Sequence, residues 1–181
     1  MSTTFNYHDL IEIFEATFFK DFNTKLICGD NEPIYLPADE QFSFHRIIFA
    51  HGFYASALHE LAHWLVAGDK RRLIEDYGYW YEPDGRTALQ QAEFEKVEIV
   101  PQAIEWAIAV SCGFKFDVSA DNLSGIEIDR LAFKRKVHKQ VLNYLKVGFS
   151  ERTTRLLNAC ADFYNIAPLT PCMFNYSGMQ K

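Results

Sequence analysis

The sequence predicts an α+β fold: a single, mainly helical domain with a small β-sheet, in which one site-bearing helix packs near a second, later helix. Three observations predict it. Several long stretches repeat apolar residues at helical spacing. Only short segments, between 25 and 50 and around 77–81, read as extended. The chain has 181 residues, enough for one core and too few for two of ordinary size. Residues 1–181 are therefore expected to form one domain, with an irregular tail from Pro168 to Lys181 that carries Pro168, Pro171 and Gly178.

From Asp9 to Phe19, Leu10, Ile13, Phe14, Thr17 and Phe18 share one helical face. Lys25 to Leu36 reads as two extended pieces joined by Gly29-Asp30-Asn31, with Pro33 and Pro37 punctuating the second. Arg46-Ile47-Ile48-Phe49-Ala50 is a buried strand, broken by Gly52. A strong helix follows from about Phe53 to Ala67 and stops at Gly68. Tyr77-Gly78-Tyr79-Trp80-Tyr81 is aromatic and strand-like, and Pro83-Asp84-Gly85 turns the chain after it. The next helix spans about Thr87 to Cys112, with Pro101 as a kink or boundary. Two more helices are expected near Ile126–Val147 and Glu151–Asn165.

Composition narrows the function. With 49% apolar and 23% charged residues, the chain is neither disordered nor fibrous. Its formal charge of −6 argues against nucleic acid as a partner, because that affinity comes from neutralising phosphates. Basic residues do cluster locally, in Lys70-Arg71-Arg72 and in Lys134-Arg135-Lys136 with His138 and Lys139, so an acidic partner stays open. Cys28, Cys112, Cys160 and Cys172 form no CxxC pair, which argues against a cysteine zinc site. No segment reads as a signal peptide or a membrane span. A cytoplasmic protein with free thiols, away from membranes, is the expectation.

His59-Glu60-Leu61-Ala62-His63 matches HExxH. Four residues turn a helix by about 400°, so the two imidazoles sit about 40° apart on adjacent turns and can grip one ion. On the helical wheel the opposite face holds Phe53, Tyr54, Ala57, Leu58, Leu61, Trp64 and Leu65, an ordinary core face. Gly52, Ala55, Ser56, Ala62, Val66 and Ala67 line the histidine side and leave room there.

Two histidines need a third ligand. Asp69 follows His63 by six residues, where some zincins place one, but those also require a glycine where Val66 stands. The later helix offers better candidates. Gln91, Glu95, Gln102 and Glu105 fall within about 60° of Glu98, on a helix apolar nearly all round. Such a helix is buried, so its few polar groups should face a site. Glu98 is preferred as ligand, with Glu105 or Gln102 supporting it. Two His and one carboxylate admit zinc hydrolysis with Glu60 as general base, as in an HExxH zinc metallopeptidase, or dioxygen chemistry on ferrous iron.

Other stretches resemble one family. His59–Trp64, Asp76–Arg86, Phe94–Glu98, Pro101–Trp106 and Phe116–Leu123 are together similar to bacterial elongation factor P hydroxylases, and the likeness runs along the whole chain. The resemblance implies a non-haem metal-dependent monooxygenase that hydroxylates the lysine of translation elongation factor P after β-lysine has been attached. It implies one divalent metal, Fe2+, on His59, His63 and Glu98, with O2 as cosubstrate. The electron donor is left open, since the His-x-Asp motif of 2-oxoglutarate oxygenases is missing. Glu60 and Glu105 are the candidate catalytic groups. Asp76, Tyr77, Tyr79 and Gln102 are candidate substrate contacts, with Trp80 and Tyr81 in the same aromatic cluster, because a cationic lysyl side chain calls for carboxylates and ring faces.

Overall fold

The computed structural model describes residues 5–75, 86–119 and 129–175. Helix α1 (Tyr7–Phe22) opens with the Asn6 side chain accepting a hydrogen bond from His8 N–H and closes at Asn23, which is left-handed at φ 47°. It buries Leu10, Ile13, Phe14 and Phe18, the predicted stripe, and outruns the predicted ends because both caps lie beyond the apolar repeat.

Strands β1 (Thr24–Gly29), β2 (Ile34–Leu36) and β3 (His45–Ala50) form one sheet in the order β1-β3-β2. β3 is central, parallel to β1 with Leu26 opposite Ile47, and antiparallel to β2 with Tyr35 opposite Ile47. The loop from β2 to β3 is fastened by Asp39, which accepts from the backbone N–H of Gln41 and Phe42 and from the Arg46 guanidinium. Arg46 also lies 4.1 Å over the Phe42 ring.

His51 (φ 52°) and Gly52 (φ 70°) turn the chain from β3 into α2 (Tyr54–Val66). A Cβ at Gly52 would sit 3.0 Å from Tyr7 Cε1, so this turn needs glycine for space as well as for φ. α2 buries Tyr54, Ala57, Leu58, Leu61, Ala62, Trp64 and Leu65. Phe53 departs from the predicted core face and is 63% exposed. It precedes the helix with extended backbone (φ −75°, ψ 122°), so the helical wheel does not extend to it.

The basic cluster Lys70–Arg72 follows α2. Arg72 is largely covered: it donates to Ala67 O at 2.7 Å and to Asp69 Oδ1 at 2.6 Å, and its guanidinium lies 5.7 Å from the Trp64 ring. Arg152 joins it from the last long helix, donating to the carbonyls of Trp64, Leu65 and Ala67. Two guanidinium groups thus cover the carbonyl end of α2, where the helix dipole favours cations.

Helix α3 (Ala88–Ser111) starts at a capping box formed by Thr87 and Gln90. Pro101 does not end it. Residues 101–109 are all buried, and packing on several sides outweighs the one backbone bond that proline cannot make. Helix α4 (Arg130–Val147) begins after Asp129, whose side chain accepts from Ala132 N–H; the earlier predicted start, 126–128, lies outside the described residues. Helix α5 (Glu151–Tyr164) runs between a Ser150 cap and a left-handed Asn165. Part of the predicted irregular tail is docked. A short 3-10 turn, Pro171–Met173, leads Phe174 into the core against Trp106, and His138 Nε2 lies 2.7 Å from Phe174 O.

α1 packs on β1 and α2 on β3, while α3 is in contact with α2, α4 and α5. Among the described residues the buried apolar side chains, Phe94 excepted, form one continuous cluster. The four cysteines are free thiols. Among the described residues no helix is long and apolar enough to cross a membrane.

Candidate metal site between two helices

The histidine face of α2 meets the polar face of α3. His59 and His63 come from consecutive turns of α2, and their rings stand 4.5 Å apart, near perpendicular at 69°. Their Nε2 atoms face each other at 2.9 Å. Glu98 arrives from α3, fully buried, with Oε1 3.2 Å from His63 Nε2 and Oε2 3.7 Å from His59 Nε2. One ligand atom from each residue lies within 4.8 Å of the other two.

These residues fit a divalent metal ion. Two ligand atoms each about 2.0–2.2 Å from one ion lie about 3.0–3.5 Å apart, from right-angled to tetrahedral arrangements, and 2.9, 3.2 and 3.7 Å fall in or close to that span. Glu98 Oε1 is buried with no aligned hydrogen-bond donor, a costly condition that a bound cation removes. Two facing imidazole nitrogens can share only one proton, whereas both lone pairs can serve an ion. Glu60, Glu98 and Glu105 also place three carboxylates around two imidazoles, an excess of negative charge suited to a cation.

Supporting contacts fix the orientation of these atoms. Glu105, about two helical turns beyond Glu98 and on the same face, holds His59 Nδ1 with Oε2 at 2.8 Å. With an ion bound, His59 Nδ1–H would donate to the carboxylate and Nε2 would give its lone pair to the ion, in place of the proton the ion-free ring carries there. Burial works against a charged His59, but Glu105, then Glu98 and Glu60, outweigh it and push its pKa up to about 10. Burial would raise Glu98, yet His63, His59 and the Gln102 amide hold it below the usual carboxylate range. Burial pushes Glu60 above that range, partly offset by the two histidines.

Gln102 is fully buried, and its amide is spent within the protein. Nε2 donates to Glu98 Oε2 at 3.1 Å and to Ser119 O at 2.6 Å, while Oε1 accepts from Ser119 N–H at 3.0 Å. It anchors the ligand candidate to the 116–119 segment. Asp69 is remote in role: its side chain is 96% exposed and pairs with Arg72. Glu95 pairs with Lys136 of α4 at 3.2 Å. Asp76, Tyr77, Tyr79, Trp80 and Tyr81 lie outside the described residues. Sequence reasoning missed the Ser119 backbone, which has no side-chain signal, and Arg152, which nothing in the sequence connects to residues 64–67.

The α+β fold and the two-helix cluster define a candidate metal-site protein with two histidines and one carboxylate converging from packed helices. Residues 13–174 match the family model for elongation factor P hydroxylase. The chain is 51% identical over 157 residues to the elongation factor P lysine hydroxylase of Haemophilus influenzae, covering 87% of this chain and 88% of that protein. It belongs to the elongation factor P hydroxylase family and is a hydroxylase.

Proposed function

We propose that this protein hydroxylates the β-lysylated lysine of translation elongation factor P, with one ferrous ion held by His59, His63 and Glu98. The observation that carries the proposal is the convergence of His59 Nε2, His63 Nε2 and Glu98 in a chain of this family. Three ligands on one side of an ion leave neighbouring positions open. Iron bound there would supply the activation of O2 that places one oxygen atom in a lysine C–H bond, the other oxygen leaving as water with two protons and two electrons drawn from a reductant.

The chain's own residues have separate tasks in this scheme. Glu105 fixes the His59 ring and its tautomer. Gln102 holds Glu98 Oε2, and Ser119 holds Gln102. Glu60 sits about 100° around the helix from His59, so it serves as a proton-handling or orienting group beside the reacting atoms rather than as a ligand. Asp76, Tyr77 and Tyr79 are proposed to meet the cationic side chain of the substrate. Residues 1–181 act as one domain, so the substrate brings its own surface. Membership of a hydroxylase family weighs against the zinc metallopeptidase that HExxH alone would also allow.

The test is mass spectrometry of β-lysylated elongation factor P incubated with the protein, ferrous iron and a reductant. A gain of one oxygen on the modified lysine is expected. His59→Ala, His63→Ala and Glu98→Ala should each lose it. Full activity and metal content in Glu98→Ala would refute that ligand assignment.

A further inference from the structure

We propose that the outward face of α4 is the docking surface for an acidic face of the protein substrate. α4 carries Arg130, Lys134, Arg135, Lys136, Lys139 and Lys146 and no Asp or Glu in its 18 residues. The whole chain is −6, so the remainder without this helix is −12. A third of the chain's 18 lysines and arginines thus stand on this one helix, with no carboxylate among them.

Half of that charge is spent internally. Arg130 and Lys134 pair with Asp117, at 3.4 and 2.7 Å, and Lys136 pairs with Glu95. Arg135, Lys139 and Lys146 are exposed, and among the described residues no carboxylate pairs with them. They fall within about 40° of one another around the helix and span about 16 Å along it. Leu131 continues the stripe one turn before Arg135 and is 51% exposed. Solvated helix faces normally mix both signs, as α1 does with Glu12, Glu15, Lys20 and Asp21. A single-sign stripe 16 Å long raises the free energy of the isolated protein, and a carboxylate-bearing partner lowers it.

The partner is a protein rather than a nucleic acid. A long polyanion would meet the −12 remainder of the molecule as well as the stripe. No aromatic side chain stands among Leu131, Arg135, Lys139 and Lys146 for bases to stack on, and Leu131 suits an apolar neighbour. The location is also suitable. α4 packs on α3, the helix that supplies Glu98 and Glu105, and the Lys136–Glu95 pair joins the two helices three residues before Glu98. A partner seated on α4 thus lies one helix away from the carboxylates of the site. The inference rests on the proposed function.

The test compares Arg135→Gln/Lys139→Gln with Lys20→Glu, each of which brings the net charge to −8, from the charges present in the chain. Binding of β-lysylated elongation factor P is measured by calorimetry from low to high salt, and oxygen incorporation is followed separately. The α4 variant should bind at least tenfold more weakly at low salt, with a shallower salt dependence and a raised KM. Lys20→Glu should bind as the wild type does, and thermal melts should match for all three. If the wild type hydroxylates the factor and the α4 variant keeps its affinity and salt slope, the docking surface is wrong and the function stands. If the wild type neither binds nor modifies the factor, the function fails and the docking surface with it. Loss of single-stranded RNA binding in the α4 variant, with factor binding intact, would also overturn the proposal.

Discussion

Glu105 shows how one residue shapes the site without being a ligand candidate. Its carboxylate, 2.8 Å from His59 Nδ1, sets which ring nitrogen carries the proton. Removing such a partner commonly costs about 10–100-fold in metal affinity. Glu105→Ala should therefore bind ferrous or cobaltous ion that much more weakly in equilibrium dialysis. Glu105→Gln keeps an acceptor for the Nδ1 proton and should lose less. Equal affinity in all three proteins would mean that the ring is held by packing alone. Glu98, Gln102 and Glu105 were legible as one polar face because a helix apolar on every other side has no reason to bury them except a site. Which of them faces the histidines and which supports was not legible. Residues three, four and seven apart share a face, and only the crossing of α2 over α3 assigns each its partner.

At the scale of elements, the precision of the site depends on the end of α2. His63 lies in the last turn of that helix, and fraying there would move its ring. Arg152 prevents this from a distant element, donating to Trp64, Leu65 and Ala67 carbonyls and lying 4.9 Å from the Trp64 ring. A hydrogen bond from a charged group contributes about 1.5–3 kcal/mol, and 1 kcal/mol shifts the melting temperature of a chain this size by about 2–4 °C. Arg152→Ala should thus melt about 3–12 °C lower, read by circular dichroism, while Arg155→Ala reports a guanidinium paired instead with Asp21. The helices themselves were well signalled. The span expected from about Thr87 to Cys112 matches α3 almost to the residue. Pro101 misled because the rule against proline in helices is local, and burial of the whole middle of α3 is not.

For the whole molecule, the site lies between two helices that also build the core, so ion binding and folding stability are linked. A metal that binds only the folded state at 100 times its Kd adds about 2.7 kcal/mol, or about 5–10 °C in melting temperature at this size. Calorimetric melts with and without ferrous or cobaltous ion should differ by that amount, and a chelator should reverse it. His63→Ala should abolish the shift. An unchanged melt at saturating metal would place the ion elsewhere or show that it binds the unfolded chain equally well.

The sequence by itself determined the elements and the chemical inventory: an HExxH helix, a second helix with one polar face, and a basic cluster at Lys134–Lys139. These are local properties, set by side-chain periodicity and caps within a few turns. The tertiary structure alone decided the strand order with β3 between β1 and β2, the docking of Phe174, the clamp of Arg152 on α2 and the pairing of His59 with Glu105. Each joins residues far apart in the chain. Their partners are chosen by which apolar faces bury together, and no local pattern carries that choice.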